Sequence, residues 1–407
     1  MPRPPGVALV LMLSAALLTS PVYPQRPVAR PAPQRVFRYL PNALAPRHLS
    51  IDLARAIAIG GAEAVGPSEF KQVSDVVVLG NGSIALGLLQ EAEIRVFDSA
   101  GGYLRTLGRS GRGPGEWLNV WQVLRRADSL VGVDGFGVGQ VFTARGQYVR
   151  MNPRPVASGL AVHLVGYLPT GRLLGYYFRQ PDQGGVGTTT GNATVVAIDG
   201  TTSTVIGTFP SHDIVRRRSG DPSPLVLGPR AQIVVAGNGY CVSSNTAAYT
   251  VKCFEPGGAE RFRLVRPGWA TKMVTEGDKL SYFATLDSAN PGPQNAAYRA
   301  EARHTLTFAT RLPAVGRLVG SATGDLWVGP PSTRDATMAL NPLPTDPTRW
   351  SIFGPSGVWF ADATLPTGFR LLAVGKDRVV GLTQDAEGAE RVLVAPLVPT
   401  PRRTSVP

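Results

Sequence analysis

The chain is poor in cysteine, histidine and charged residues. Its 407 residues include two cysteines, four histidines and 17% charged residues, against a usual charged share of about 25%. Two cysteines cannot build a disulfide framework or a four-cysteine zinc site, and the histidines lack the spacing of metal ligands. The four are His48, His163, His212 and His304. We therefore expect no metal and no cofactor.

Acidic residues are absent from both ends of the chain, since none precedes Asp52 and none follows Glu390. The formal net charge is +13, but eight of the 41 basic residues lie outside residues 48–397. That segment therefore carries 33 basic and 28 acidic residues, a charge of only +5. Five of the basic residues are lysine, which indicates a general bias toward arginine. We interpret this as basic ends on a mildly basic body and expect no nucleic-acid partner.

Long hydrophobic runs are also lacking, so we expect no membrane span, which needs about 20 apolar residues. Residues 7–18 form a 12-residue apolar run after Arg3, the pattern of a signal peptide. We predict a signal peptide at 1–25 without a clear cleavage site, a Pro/Arg-rich flexible tether at 26–47, a folded domain at 48–397 and a disordered tail at 398–407. The protein is then expected to be an exported monomer, periplasmic or extracellular.

Glycine and proline are abundant, at 47 and 36 residues, which suits short strands joined by tight turns. A pattern of two hairpins recurs six times along the chain. In the first copy its strands are at residues 76–79, 84–88, 94–97 and 103–107. The later copies begin near residues 123, 164, 233, 318 and 371. This predicts an all-β fold, a six-bladed β-propeller of four-stranded antiparallel blades. Two stacked β-sandwiches are the alternative.

The sixth copy has only three strands, which would leave an open sheet edge. We expect a segment within residues 47–59 to add the missing outer strand and close the ring. The longest connection, residues 266–313, separates the fourth and fifth copies and looks helical around 271–286 and 294–303. We predict a partly helical insert that folds as a cap over the central channel.

Four stretches carry a family resemblance: residues 60–70 (GGAEAVGPSEF), 94–117, 324–328 and 365–392. They resemble bacterial exported six-bladed β-propellers related to NHL-repeat proteins, over about residues 60–397. The resemblance implies the fold and an exported location. It assigns no catalytic residue, since that group is largely uncharacterised.

The long connections of the predicted blades all emerge at one end. They are residues 108–120, 179–191, 210–224, 266–313 and 330–348, which join the second to the third strand of a blade or one blade to the next. Insertions confined to one face of a repeat fold usually mark its binding face. We call this the long-loop face and predict that it holds the ligand contacts; merely tolerated loops are the alternative.

Two of these connections carry candidate contacts for an anionic ligand. The candidates are Arg109, Arg112, Glu116, Trp117, Arg216, Arg217 and Arg218. The first connection is glycine-rich, so its backbone N–H groups and two guanidiniums can bind an anion. Alternatively, its glycines let the chain cross between blades and its tryptophan is an anchor. The second is a run of three arginines, for which a solvated loop is the alternative.

No catalytic signature is present: there is no G-x-S-x-G sequence, and no GK[ST] follows the glycines of the first connection. We therefore expect a binding or scaffolding module of the cell envelope, whose partner is an unidentified small molecule, glycan or envelope protein. The alternative is a lactonase-like or lyase-like propeller enzyme. That enzyme would need two or more carboxylates with Asn or His at the channel mouth.

The two cysteines, Cys241 and Cys253, fall on neighbouring strands of the fourth copy. If the hairpin centre lies near Ala247, they stand directly opposite each other, at a Cα separation of about 4.5–5.5 Å that permits a disulfide. Export would place them in an oxidising compartment. We predict a disulfide; two buried free thiols are the alternative.

Overall fold

The computed structural model describes residues 35–40, 43–180, 186–218, 222–244, 248–331 and 343–400, all within one compact unit, Gln34–Pro407. The predicted signal peptide at 1–25 lies outside the described residues. Strands dominate the described part. It begins with three short strands: β1 (Arg35–Arg38), β2 (Arg47–Ile51) and β3 (Ile57–Gly60).

Successive groups of strands follow, which we number as sheets 1 to 6. Sheet 1 has β4 (Val73–Val78), β5 (Ile84–Leu88), β6 (Glu93–Phe97) and β7 (Tyr103–Leu107), and is followed by the short pair β8 (Arg109–Ser110) and β9 (Glu116–Trp117). Sheet 2 has β10 (Gln122–Arg126), β11 (Ser129–Val133), β12 (Gly139–Thr143) and β13 (Tyr148–Asn152), followed by the hairpin β14 (Val156–Ala157) and β15 (Leu160–Ala161). Sheet 3 has β16 (His163–Tyr167), β17 (Leu173–Arg179), β18 (Gly187–Asp199), β19 (Thr202–Arg216) and β20 (Ser223–Pro224).

Two helices separate the later sheets. Sheet 4 has β21 (Gln232–Ala236), β22 (Gly239–Ser243), β23 (Tyr249–Phe254) and β24 (Glu260–Arg266), and is followed by α1 (Glu276–Ala289) and α2 (Ala296–Thr305). Sheet 5 has β25 (Leu318–Gly320), β26 (Leu326–Val328), β27 (Thr348–Phe353) and β28 (Trp359–Leu365). Sheet 6 has β29 (Arg370–Val374), β30 (Arg378–Gln384) and β31 (Glu390–Pro399).

The sheets are arranged in a ring. Within each sheet, consecutive strands pair in chain order, and the pairs are antiparallel. The first strands contact one another in the order β4, β10, β16, β21, β25 and β29, and β29 contacts β4 again. The fold is therefore propeller-like, with the first strands innermost.

The strand β5 shows why the sheets stack side by side. Successive side chains of a strand point to opposite faces. Ile84 and Leu86 pack in a cluster with Val380 of sheet 6, whereas Ala85 between them packs in a cluster with Val123 of sheet 2. All five residues of β5 are buried, and each large apolar side chain contributes about 1.5–3 kcal/mol by leaving water. A strand that is apolar on both faces thus needs a neighbouring sheet on each side.

The predicted flexible tether is in part ordered structure. Residues 35–38 form β1, which pairs in parallel with β24 at the edge of sheet 4, and Phe37 packs edge-on against Phe262. An open sheet edge presents unpaired donors and acceptors, so a short segment with alternating apolar residues is readily added to it. The tether interpretation is wrong for these residues; residues 26–34 and 41–42 lie outside the described part.

The strands β2 and β3 join the two ends of the chain. β3 is the outer strand of sheet 6, antiparallel to β31, and lies at the end of the predicted window 47–59. β2 pairs instead with both β28 and the end of β31, so it connects sheets 5 and 6. β31 therefore continues to Pro399, and the backbone N–H of Thr400 donates to the carbonyl of His48 at 2.8 Å. The predicted tail is ordered to residue 400 because β2 lies beside it.

Two predicted loops of sheet 3 are largely strand. β18 begins at Gly187 and β19 extends to Arg216, and these two residues pair across an arm that projects beyond the rest of the sheet. The arm is rich in threonine, a β-branched residue that favours strands. Residues 181–185 and 219–221 of the predicted loops lie outside the described part.

The insert after sheet 4 is partly helical, close to the predicted ranges. Thr275 and Asp278 form a capping box at the start of α1, which satisfies backbone N–H groups there. The insert packs against the chain that leaves sheet 3, through a cluster that contains Val226, Tyr282 and Leu312. No helix in the described residues is both long and apolar enough to cross a membrane.

Cys241 on β22 and Cys253 on β23 are directly opposite in the register of sheet 4. Their Cα atoms are 4.1 Å apart and a disulfide joins them. The predicted hairpin centre, Ala247, lies outside the described residues.

Candidate functional site

Asp75 is a carboxylate on the innermost strand of sheet 1. It accepts hydrogen bonds from the backbone N–H groups of Val76 (2.9 Å) and, across to sheet 2, Val123 (3.0 Å). Burial raises the pKa of Asp75 to about 6, against these two hydrogen bonds and the positive charges of Arg317 and Arg370. A carboxyl that titrates near neutral pH beside two arginines is typical of functional sites, although structural ion clusters also have this property.

The two arginines come from the innermost strands of sheets 5 and 6. Arg370 is the first residue of β29 and is only 8% exposed. Arg317 directly precedes β25, and its Nη1 donates to the carbonyl of Leu371 at 2.7 Å. First strands begin at the long-loop face, so both guanidiniums lie near that end of the ring. Guanidiniums donate charge-assisted hydrogen bonds to carboxylates and phosphates, so a cavity that these two line suits an anionic ligand.

A cavity of about 790 Å³ adjoins these arginines. Its walls are the start of the insert, the connection between β26 and β27, and the residues that lead into β29. The buried part of the lining, which we call the deep part, is formed by the apolar side chains of Trp350, Phe369 and Leu371, with Arg370 beside them. Lys272 and Asp346 are exposed and form part of the rim. The volume is in the range of about 300–1,000 Å³ typical of small-molecule sites. The arrangement suits a ligand with an anionic group and an apolar body.

The cavity involves two of the five predicted long connections, 266–313 and 330–348. The sequence analysis singled out these connections but not Asp75, Arg317 or Arg370, and its placement of the ligand contacts on the long-loop face stays a prediction. Asp75, Arg317 and Arg370 each lie at or near the start of an otherwise apolar first strand. The available signal is a charged residue at or near the start of an apolar strand.

The glycine-rich connection after sheet 1 supplies its own anion. The carboxylate of Glu116 accepts from Arg109 Nε (2.8 Å) and from the backbone N–H of Gly113 (2.8 Å). These hydrogen bonds, with that of Gly113 the stronger influence, hold the pKa of Glu116 below its usual range. Trp117 is 2% exposed and donates from Nε1 to the carbonyl of Gly132 at 3.1 Å. Arg112 is exposed.

The three arginines of the other predicted group have different surroundings. Arg216 is the last residue of β19, in the arm of sheet 3. Arg217 Nη2 donates to the carbonyl of Thr305 and to Thr307 Oγ1 (2.8 Å), which ties the arm to the insert. Arg218 is exposed. These contacts give Arg217 a structural role.

Sheet 3 carries a row of four rings at its long-loop end. His163 stacks on Tyr176 with centroids 5.2 Å apart, and Phe178 lies 5.4 Å from His163 and 4.8 Å from His212. Burial lowers the pKa of both histidines, and the positive charge of Arg230 lowers that of His212 further. Both shifts favour the neutral imidazole. In the described residues, no three His, Cys, Asp or Glu side chains are grouped to hold a metal ion.

Comparison with known proteins informs only the fold. No protein-family model and no curated protein matches the sequence. A member of the DUF4221 family from Bacteroides vulgatus has 8% identity and a TM-score of 0.51, and the match covers 87% of this chain and 100% of that one. At such low identity it shows a similar fold and nothing about activity.

Two further solved structures have lower scores. A protein of Bacteroides fragilis proposed to be exported has 12% identity and a TM-score of 0.47, over 90% of this chain and 99% of that one. Virginiamycin B lyase from Staphylococcus aureus has 8% identity and a TM-score of 0.38, over 84% and 99%. These scores are too low to carry an argument.

Proposed function

We propose that this protein is an exported six-bladed β-propeller that binds a small anionic molecule in the cavity on its long-loop face. Sheets 1 to 6 are then the blades, and β3 closes the last one. The ring of contacts among the first strands and the pairing of β3 with β31 support this architecture. Export rests on the signal-peptide pattern at residues 1–25.

One observation carries the binding proposal: Arg317 and the buried Arg370 line the cavity beside apolar walls. Two acidic residues also belong to the lining. Asp278 is engaged in the cap of α1, where it accepts from the backbone N–H of Thr275 at 2.8 Å, and Asp346 is exposed at the rim. We therefore expect the carboxylate or phosphate of the ligand to bind the guanidiniums, and its apolar body to contact the deep wall. The exposed Arg112 and Arg218 are proposed as outer contacts.

A thermal-shift screen followed by calorimetry tests this proposal, with benzoate, phenyl phosphate and glucuronate as probes. Hydrogen bonds to charged groups contribute about 1.5–3 kcal/mol, so Arg317→Gln should weaken binding by about 10- to 100-fold. The control is Arg145→Gln, which removes the same charge from an exposed turn between β12 and β13. Equal affinity in both variants, or no binding of any probe, would refute the proposal.

The enzyme alternative also has a specific observation in its favour. Glu390 Oε2 accepts from the backbone N–H of Val73 at 2.6 Å, and burial raises the pKa of Glu390 against this bond and the charge of Arg370. Asp75 and Glu390 are thus two carboxylates with raised pKa values near one arginine, as a lactonase-like or lyase-like acid–base site would need. Asp75→Asn should then abolish turnover of a lactone substrate while binding persists. A lack of turnover in the parent protein excludes this alternative for the substrates assayed.

A further inference from the structure

A second concave site lies between sheets 2 and 3, as a groove of about 450 Å³. One side is the end of β13 with the residues that follow it, and the other is formed by the turns that join β16 to β17 and β18 to β19. Those turns belong to the end of the ring opposite the long-loop face, whereas the residues after β13 begin the connection from sheet 2 to sheet 3, so the groove runs along the side of the ring. The groove shares no lining residue with the cavity.

The groove is strongly cationic. Arg126, Arg150 and Arg154 line it, and Asp199 is the one acidic residue in its described lining. In the described part of the chain, none of the three arginines forms an ion pair with a carboxylate; by contrast, Arg109 and Arg263 each have one at 2.7–2.8 Å. Arg126 and Arg150 both lie near Tyr167, so their like charges repel each other.

Neighbouring side chains hold two of these guanidiniums in position. Arg126 lies over the ring of Tyr167, 5.3 Å from its centroid, and Arg150 Nε donates to Asn152 Oδ1 at 3.1 Å. Burial raises the pKa of Tyr167, and the charges of Arg126 and Arg150 oppose this rise, so both cations lie near the phenol. The hydroxyl of Tyr167 and the remaining guanidinium N–H groups can then donate to one bound anion. Guanidiniums arranged in this way suit planar carboxylates and phosphates.

We propose that this groove is a second binding site, for a small molecule with at least two negative charges, such as an organic phosphate or a polycarboxylate. Such an anion offsets the repulsion between Arg126 and Arg150 and accepts hydrogen bonds from them and from Tyr167. The volume admits a small molecule, and the lining combines the arginines and Tyr167 with apolar residues such as Leu173 and Ile198. The proposal does not depend on the function proposed for the long-loop face.

The test is calorimetric titration of the folded chain with inorganic pyrophosphate and with citrate at low ionic strength. We expect one equivalent to bind, and Arg126→Gln or Arg150→Gln to weaken that binding at least tenfold. The double variant should lose it. Because both arginines are exposed, the variants should keep the parent melting temperature. Binding of pyrophosphate alone indicates a phosphate site, and binding of citrate alone a carboxylate site; both outcomes support the proposal.

The matched control is the pair Arg145→Gln and Arg179→Gln, which removes two exposed positive charges outside the groove. An equal loss of affinity in this pair would mean general attraction to a basic protein and would overturn the proposal. A dissociation constant weaker than about 10 mM for both probes would also overturn it. Arg317→Gln should leave the affinity for pyrophosphate and citrate unchanged. A wrong proposal for the groove can therefore be distinguished from a wrong proposal for the cavity.

Discussion

The connection after sheet 1 and the cavity on the long-loop face are both rich in arginine, but their charges are balanced differently. Arg109 in the connection is paired with Glu116, seven residues away. Arg317 and Arg370 come from different sheets and line a cavity, with Asp75 nearby and Glu390 near Arg370. A basic motif is therefore a better ligand candidate where its guanidiniums border a cavity than where one of them is paired within its own connection.

The largest expected effect is a loss of stability when the ring of sheets that carries the cavity is opened. Deletion through residue 60 removes β1, β2 and β3 and exposes the edge of sheet 6, to which Arg370 belongs, so cooperative unfolding should be lost. Deletion through residue 34 should leave the melting temperature unchanged. Circular dichroism during thermal unfolding measures both, and equal melting of the two shortened chains would contradict this account of closure.

The pH dependence of stability distinguishes Asp75 from an ordinary surface carboxylate. Its folded-state pKa of about 6 lies above the value of about 3.9 for an exposed aspartate, so the folded chain alone holds this proton between these values. Stability from this group therefore rises as pH falls through that window, by up to about 3 kcal/mol, and this contribution is absent above about pH 7.

Asp75→Asn removes that contribution. Urea unfolding at about pH 4.5 and pH 7.5 should show that the parent loses more stability than the variant between the lower and the higher pH. An identical change in the free energy of unfolding of both proteins would show that burial does not raise the pKa of Asp75.

The disulfide of sheet 4 should contribute to the stability of the fold, while its reduction should leave anion binding at the cavity unchanged. Reduction should lower the free energy of unfolding by about 3 kcal/mol or less, because the bond closes a short loop. Thiol titration of the unfolded, unreduced protein should detect no free thiol from Cys241 or Cys253. Two free thiols would refute the bond.

The smallest effect is expected from Glu116→Gln. The hydrogen bonds to Gly113 and Arg109 lower the pKa of Glu116, so their stabilisation is present above the unfolded pKa and is lost as pH falls through the lower folded value. The variant should melt slightly below the parent at pH 7 and equally at about pH 2. The affinity of the variant for an anionic probe should equal or exceed that of the parent. A lower affinity in the variant would show that Glu116 supports the ligand site.

Much of the fold can be predicted because hairpins leave a local pattern. The predicted strands 84–88 and 103–107 agree with β5 and β7, since the turn before β5 is marked by Asn81-Gly82 and the turn before β7 by Gly101-Gly102. The parallel pairing of β1 with β24 could not be predicted in this way. It joins Arg35 to Phe262, and such long-range pairing has no local sequence signal.

The site is harder to predict for a related reason. Asp75, Arg317 and Arg370 are far apart in sequence and approach each other only because the ring closes. The sequence motifs that stand out, 109–117 and 216–218, are compact in sequence and so find partners nearby or in the adjacent insert. The length of the connections was a better guide to the cavity than the charge within them.

The most direct test compares the affinity of Arg317→Gln and of Arg109→Gln for one anionic probe. The probe is whichever of benzoate, phenyl phosphate and glucuronate binds the parent protein most tightly. Each variant loses one guanidinium, but only Arg317 lines the cavity. We predict a loss of about 10- to 100-fold in Arg317→Gln and unchanged affinity in Arg109→Gln. Unchanged affinity in Arg317→Gln together with a loss in Arg109→Gln would contradict the assignment and place the ligand at the glycine-rich connection.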